Sequence, residues 1–357
     1  MSAPALLPTQ PATRRGTNRH DSQAVFEFLR DPRCHFDGST AIEVVETHLS
    51  WVFVSRLYAW KLKKMARTPL VDFTTLAARL ANGESEVRLN RRLAPGVYHG
   101  VVPVTVGVGG ELCWGGNGRV LEWLVWMRRL PRARMLDALI RRRCVPLDRL
   151  RALANVLARF HQAAPRRSPA GYCASLREAI AQDAALLAAC ADPDDAAWAA
   201  RIARGLLRFL VEAPGLFEAR VDGGRVMEGH GDLRPEHLCL DGTPLAIDCL
   251  EFSTNLRTMD ACEDLACLEV ECERLGAAWV GRFVLAAHAL ETGDRPPRRL
   301  QDFYAAARAL LRARLACAHV LDCPPASHAR WRAEGRHYLD IAGRHLARCV
   351  GLASPHD

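Results

Sequence analysis

The chain has 357 residues, enough for one large domain or two moderate ones with an ample apolar core. Apolar residues make up 49% and charged residues 25%, which is the composition of an ordinary globular protein. The formal charge of +8 suits anionic ligands such as nucleotides, but it is far weaker than the charge of a dedicated nucleic-acid binder.

Cysteine usage and apolar runs bear on location and partners. The 13 cysteines form no CxxC pair and no Cys/His spacing typical of zinc, so we expect reduced, mostly buried thiols and a cytoplasmic protein. No uncharged apolar run approaches the length of a membrane span, which predicts that no segment crosses a membrane. Residues 128–143 hold seven Arg without interleaved aromatic residues, which favours a solvated helix face over a nucleic-acid surface.

The N-terminal part of the chain is predicted to be a tail followed by strands. Residues 1–40 begin with several Pro and Arg and no apolar segment, so we expect a disordered or loosely ordered tail and no signal peptide. Two alternating apolar runs within residues 41–62, broken near Thr47–Ser50, predict strands. A helix or a helix pair is predicted within residues 72–94, with Asp72 as its cap.

Two lobes follow from the change of pattern along the chain. Further strands with Gly-rich turns complete a unit at residues 41–125 that is dominated by an antiparallel sheet. A connector is predicted near 122–127. Amphipathic helices then fill residues 126–350, and the segment 229–252 is a β-rich island among them.

The segment GHGDLRPEHLCLDGTPLAIDCLEF is predicted to form a hairpin around Asp241–Gly242. An Asp-Gly pair between two apolar runs favours a two-residue type I′ turn, which needs positive φ at both positions. A two-residue turn fixes the register, so Leu238 is expected to face Leu245 and His237 to face Ala246.

This hairpin is predicted to gather titratable side chains. Asp248 lies diagonally from His237 on the same face, at roughly 7–8 Å between Cα atoms, so both side chains can share one ion. Asp232 precedes His237 by five residues, and Glu251 lies just beyond Asp248. In a kinase catalytic loop an Asp base precedes an Asn metal ligand, and a second metal-binding Asp follows. The alternative, a surface hairpin with charged ends, predicts no particular spacing.

The motif HGDLRPEHLCL followed by LAIDCLEF resembles that of the aminoglycoside phosphotransferase-like kinases. The segments ETHLSWVFVSRLYAWKLKK, NRRLAPGVY and MDACEDLACLEVECERLG resemble one bacterial branch of this family, over most of the chain. The resemblance implies an α+β, two-lobed, protein-kinase-like fold with a small antiparallel-sheet N-lobe and a large, mainly helical C-lobe. It also implies ATP-dependent phosphorylation of a hydroxyl on a small molecule. Many members of the branch carry a second ATP-binding domain, but this sequence contains no GxxxxGK[ST] motif.

The resemblance implies roles for the carboxylates of the C-lobe. Asp232 is expected to accept the proton of the attacking hydroxyl and to orient that hydroxyl. Asp248 is expected to hold Mg²⁺ on the nucleotide phosphates. We expect His230 to support the loop through hydrogen bonds, and Asp260 and Asp264 to cap and anchor it rather than to bind metal.

A lysine and a carboxylate are expected in the N-lobe. Lys61 follows a strand-like run, as the lysine of the family does, and would neutralise the ATP phosphates. Lys63 on the same strand face is the competitor. Glu86 is the favoured helix partner of the lysine, and Glu84 is the alternative.

Two further N-lobe segments are expected to contact the nucleotide. The hydroxyls of Thr47 and Ser50 occupy the place of a phosphate-covering loop, although this segment lacks its glycines. The connector between Glu122 and Val125 would offer backbone groups to adenine.

His237 departs from the family pattern, which has Asn at this position. Mg²⁺ prefers oxygen ligands, so imidazole should weaken a second Mg²⁺ site. Three outcomes remain open. Glu251 supplies the missing oxygen; or the enzyme works with one metal or with Mn²⁺; or the protein is a nucleotide-binding pseudokinase or regulator. Because Asp232, Asp248 and Lys61 are all present, we favour an active enzyme.

Overall fold

The computed structural model describes residues 19–68, 70–167, 171–322 and 324–351. The chain divides into two compact units, Met1–Arg129 and Leu130–Asp357. The boundary predicted after residue 125 is therefore four residues too early. The strand that this boundary would divide continues to Arg128.

The first unit is built on an antiparallel sheet. Within the described residues its elements are α1 (Arg19–Arg30), β1 (Glu43–Glu46), β2 (Ser50–Val54), β3 (Tyr58–Lys63), α2 (Leu76–Asn90), β4 (Tyr98–Val106), β5 (Leu112–Trp114) and β6 (Arg119–Arg128). The strand order is β1-β2-β3-β6-β4-β5, and every neighbouring pair is antiparallel. The predicted sheet is confirmed, and β6 lies inside it between β3 and β4.

The predicted N-terminal tail is wrong for residues 19–40. Residues 19–30 form helix α1, and a 3₁₀ turn follows at Pro32–Cys34. Val25 and Leu29, one helical turn apart, are fully buried in the core that contains Phe53. Two buried apolar residues are a weak indication of a helix, and the Pro- and Arg-rich sequence before them led to the prediction of a tail. Residues 1–18 lie outside the described part of the chain.

Helix α2 is confirmed, but its cap is not Asp72. The Thr75 hydroxyl caps the helix by accepting from the backbone N–H of Ala78 at 3.2 Å. Asp72 instead accepts from the backbone N–H of Thr74 at 3.0 Å, in the turn before the helix. A cap residue must immediately precede the first helical turn, and Thr75 holds that place.

The second unit is mainly helical, as predicted. Its described helices are α3 (Leu136–Arg141), α4 (Leu147–Ala163), α5 (Tyr172–Cys190), α6 (Pro193–Glu212), α7 (Pro214–Asp222), α8 (Thr254–Arg257), α9 (Ala261–Arg274), α10 (Ala278–Thr292), α11 (Arg298–Asp322) and α12 (His328–Cys349). Two small antiparallel pairs accompany them: β7 (Val226–Glu228) with β10 (Thr258–Asp260), and β8 (Leu238–Cys239) with β9 (Leu245–Ala246).

The main core of this unit is formed by α5, α6, α11 and α12, where Phe209, Phe303 and Tyr338 are buried. Helix α9 follows the β8–β9 hairpin, α8 and β10 in the chain, and it packs on α10 and α11. Among the described residues, no helix combines the length and the apolar character needed to cross a bilayer.

Candidate active site

The β8–β9 hairpin has a different register from the predicted one. Leu238 lies opposite Ala246, not Leu245, so the predicted pairing is wrong by one residue. Gly242 has φ of +56°, whereas Asp241 does not adopt positive φ. A two-residue type I′ turn needs positive φ at both positions, so this pair cannot form one. The hairpin therefore closes through a longer turn.

The new register changes how Asp248 reaches His237. The Ile247 N–H donates to the His237 carbonyl at 2.9 Å, so Asp248 would point to the opposite face if the strand continued regularly. Asp248 instead adopts φ of +62°, which is rare outside glycine. Its Oδ2 atom lies 3.5 Å from His237 Nε2, and Asp232 Oδ2 lies 3.8 Å from His237 Nδ1. The structure thus brings all three predicted residues together by a different route.

Asp232 is held as a carboxylate beside Arg234. The Arg234 Nε atom lies 3.2 Å from Asp232 Oδ2, and the Asp232 side chain is 29% exposed. Burial acts to raise the pKa of Asp232, but the Arg234 guanidinium, with a smaller contribution from His237, outweighs it and lowers this pKa below its usual value. Asp232 is therefore ionised at neutral pH, and part of its side chain remains accessible.

The loop that carries Asp232 is braced by His230 and Asp264. His230 Nε2 donates to the Ile247 carbonyl at 3.0 Å, which leaves Nδ1 to accept from the Asp232 N–H at 3.3 Å. The Asp264 carboxylate accepts from the backbone N–H groups of His230 at 2.7 Å and Gly231 at 3.1 Å. The supporting roles predicted for His230 and Asp264 are confirmed.

The charge of Asp264 is maintained by a histidine from another helix. His161, on α4, places Nε2 3.2 Å from Asp264 Oδ2. Burial acts to raise the pKa of Asp264, but hydrogen bonds and charge from His161, and then the charge and N–H of His230, hold this pKa well below its usual range. Asp260 has the predicted capping role: its carboxylate accepts from the Cys262 N–H at 2.8 Å at the start of α9.

Sequence reasoning missed Arg234 and His161. Arg234 lies two residues after Asp232 inside the HGDLRPEH motif, so the charge balance of that motif could have signalled the pairing. His161 is 103 residues away from Asp264 along the chain, and nothing in its local sequence indicates the contact.

In the first unit, Glu86 is the partner of both candidate lysines. Lys61 Nζ lies 2.8 Å from one Glu86 oxygen, and Lys63 Nζ lies 2.6 Å from the other. The Glu86 side chain is fully buried, while that of Lys61 is 12% exposed and that of Lys63 is 3% exposed. Glu86 rather than Glu84 therefore takes the partner position. Lys61 is the more accessible of the two cations.

The hydroxyls of Thr47 and Ser50 are not presented as predicted. Thr47 Oγ1 donates to the Ser50 carbonyl at 2.9 Å and accepts from the Ser50 N–H at 3.0 Å. Ser50 itself is buried at the start of β2. The Thr47 hydroxyl closes the turn between β1 and β2, and the phosphate contacts expected of this segment stay a prediction.

The connector predicted at Glu122–Val125 is wrong, because both residues lie in the middle of β6. Val125 is paired with Lys61 on one side and with Val101 on the other. The buried Glu122 carboxylate accepts from Arg79 Nε at 2.8 Å. The backbone of this segment is paired within the sheet, and the Glu122 carboxylate is paired with Arg79. The structure therefore gives no support to the adenine contact predicted for this segment.

The carboxylates fit one hard cation better than two. Asp248 has a side chain that is 43% exposed, and carboxylate oxygen is the donor that Mg²⁺ prefers. The side chain at the predicted second position is the imidazole of His237, whose Nε2 lies 3.5 Å from Asp248 Oδ2. Within the described ranges, no cluster of three or more His, Cys, Asp or Glu side chains forms a metal site. The ligand role of Glu251 stays a prediction.

Comparisons with known proteins agree with this architecture. An uncharacterised protein of Mycobacterium tuberculosis is 32% identical over 310 residues, covering 85% of this chain and 60% of its own length. The chain thus spans about 60% of the length of the curated relatives it matches.

Two solved structures share the fold. The choline kinase of Cryptosporidium parvum has a TM-score of 0.56 at 7% identity, over 92% of this chain and 96% of that one. A choline/ethanolamine kinase family protein of Mesorhizobium loti has a TM-score of 0.51 at 17% identity, over 92% and 99%. These matches confirm the kinase-like fold, with a sheet-based N-lobe and a mainly helical C-lobe.

The family comparison covers both units. The model described as "Phosphotransferase enzyme family" matches residues 70–299, which include helix α2, the HGD loop and the β8–β9 hairpin. The chain therefore belongs to the phosphotransferase enzyme family.

Proposed function

We propose that this protein transfers the γ-phosphoryl group of ATP to a hydroxyl group of a small molecule. The observation that carries the proposal is the partly exposed carboxylate of Asp232, held on a braced loop and lying 3.8 Å from His237, whose other ring nitrogen faces Asp248. Family membership supports phosphotransfer as the reaction class. The choline kinase and ethanolamine kinase names of the fold relatives fit a small-molecule acceptor.

Asp232 would orient the acceptor hydroxyl and take its proton. The hydroxyl oxygen forms the new bond to the γ-phosphorus, the bond from that phosphorus to the bridging oxygen breaks, and ADP leaves. The lowered pKa of Asp232 makes it a weak base, so its main contribution would be to position the hydroxyl for in-line attack.

The remaining charges would serve the nucleotide. A divalent cation held by Asp248, Mg²⁺ or Mn²⁺, would supply positive charge to the ATP phosphates. In the first unit, Lys61 and Lys63 both contact Glu86, and either amine could also bind a phosphate. Lys61 is the better candidate because it is the more exposed.

The first experiment is a screen of hydroxylated metabolites for ATP-dependent ADP release. Asp232→Asn is expected to abolish turnover, and Asp248→Asn is expected to abolish turnover and metal-dependent nucleotide binding. Asp241→Asn is the matched control, because Asp241 is an exposed carboxylate at the turn of the same hairpin. Equal ADP release by the Asp232 variant and the wild type would refute the assignment of Asp232.

The rival function is a nucleotide-binding regulator without turnover. Thermal-shift titration with ATP and Mg²⁺ or Mn²⁺, followed by the ADP assay, separates the two. Binding without turnover on any acceptor would favour the regulator. A cytoplasmic location is part of the proposal, and it agrees with the described cysteines, all of which are free thiols.

A further inference from the structure

The side chain of Arg234 is fixed by three neighbours around the candidate catalytic loop. Its Nε lies 3.2 Å from Asp232 Oδ2, its Nη1 lies 3.3 Å from Glu236 Oε1, and its Nη2 lies 3.1 Å from His237 Nε2. Each end of the guanidinium thus faces a different group. These contacts place the guanidinium at the Nε2 edge of the His237 ring.

The two hydrogen bonds of His237 indicate which nitrogen donates and which accepts. Nδ1 lies 2.9 Å from the Asp232 carbonyl oxygen, which can only accept, so Nδ1 must donate. Nε2 faces Arg234 Nη2, which can only donate, so Nε2 must accept. This geometry favours the tautomer that carries its proton on Nδ1, with Nε2 directed at the guanidinium.

This arrangement does not fit a second metal ion. A metal bound to His237 Nε2 would lie about 2 Å from it and would overlap the N–H that Arg234 directs there. Nδ1 carries a proton and cannot coordinate. His237 also offers no oxygen, which Mg²⁺ prefers. The position that holds a second metal in kinases with Asn is therefore occupied in this chain by a fixed positive charge.

We propose that this site works with one divalent cation, at Asp248, and that the Arg234 guanidinium takes the place of the second. The proposal rests on the proposed phosphotransferase function. A guanidinium binds phosphate oxygens in a forked geometry, so it can stabilise charge on the transferring phosphoryl group. His237 then acts as a positioning residue: it orients Arg234 through Nε2 while Nδ1 holds the Asp232 backbone.

The test counts metal ions. The full chain is titrated with Mn²⁺ in the presence of a saturating non-hydrolysable ATP analogue, and free Mn²⁺ is followed by electron paramagnetic resonance. The wild type is expected to bind one Mn²⁺ per chain. Arg234→Met is expected to gain a second, because Mn²⁺ accepts the released imidazole nitrogen. Arg234→Lys keeps the positive charge and is expected to stay at one.

Arg204→Met is the control, because Arg204 is exposed on α6. It is expected to bind one Mn²⁺, and circular dichroism verifies the folding of every variant. Arg234→Met is also expected to lower kcat on the order of 100-fold with Mg²⁺, and Mn²⁺ should restore part of this loss.

Two results would overturn the proposal: two Mn²⁺ ions bound by the wild type, or one Mn²⁺ bound by a folded Arg234→Met variant. The wild-type count decides by itself should that variant fail to fold. A complete absence of nucleotide-dependent Mn²⁺ binding in the wild type would refute the proposed function as well, so the two failures are distinguishable.

Discussion

Replacing Asp264 with Asn tests whether the catalytic loop depends on a buried charge. The Asp264 carboxylate is fully buried and accepts from two loop N–H groups, at 2.7 and 3.1 Å, while His161 faces it at 3.2 Å. An Asn side chain keeps one acceptor oxygen but presents an N–H group in place of the other. In either orientation of the Asn side chain, its N–H group would face the backbone N–H of His230 or that of Gly231.

The expected loss of stability follows from those contacts. Leaving a buried donor unpaired costs about 1–3 kcal/mol, and losing a charged acceptor costs a similar amount, so we expect about 3 kcal/mol. In a unit of this size, that corresponds to a fall in Tm of about 6–10 °C. Because the loop carries Asp232, we also expect kcat to fall on the order of 100-fold.

The stability difference should depend on pH. The folded-state pKa of Asp264 is depressed, so its contribution is fully present above the unfolded value of about 4 and declines as pH falls further. Thermal unfolding of both proteins at pH 7.5 and near pH 3.5 measures this difference, which should be larger at pH 7.5. The exposed Asp340 on α12 provides the control variant Asp340→Asn. A Tm and a kcat equal to the wild type at pH 7.5 would refute the reasoning.

Three further substitutions probe other parts of the chain. Glu86→Gln leaves Lys61 and Lys63 without their shared counter-charge, so we expect a loss of about 3 kcal/mol in unfolding free energy and a higher KM for ATP, measured by denaturation and ADP release. Gly231→Ala forces a side chain onto φ of +88° in the catalytic loop, so we expect about 1–2 kcal/mol of strain and a lower kcat. Burial raises the pKa of Asp183 to about 6 despite its contact with Arg314, and this carboxyl therefore costs stability as pH rises from 4 to 6. The Tm of the wild type relative to Asp183→Asn should fall over that range, and a constant difference would contradict the assignment.

Local sequence was enough to predict which residues meet around the hairpin. Asp232, His237 and Asp248 lie within 17 residues of one another, and a chain that turns back between them can hardly separate them. The pairing of Glu86 with Lys61 followed from element type and family resemblance. The apolar period of a helix and the alternation of a strand predicted both elements correctly.

The details that failed depend on conformations that sequence patterns do not encode. The register changed by one residue because Asp241 does not adopt positive φ, and the left-handed backbone of Asp248 then restored the approach to His237. The connector was misplaced because any apolar segment could serve there, and the local sequence around Glu122 gave no sign of its pairing. Its buried partner Arg79 is 43 residues away, so the strand continues through it.

The structure also explains how His237 can replace Asn without loss of the loop. At this position the side chain donates a hydrogen bond to the Asp232 carbonyl at 2.9 Å. The amide of Asn and the Nδ1–H of His can both supply this donor, so either residue supports the backbone of Asp232. The residues differ in the second atom, which is an oxygen able to bind Mg²⁺ in Asn and a nitrogen that accepts from Arg234 in His. The exchange is therefore expected to preserve the geometry of Asp232 and, in the proposed site, to change the source of positive charge beside it.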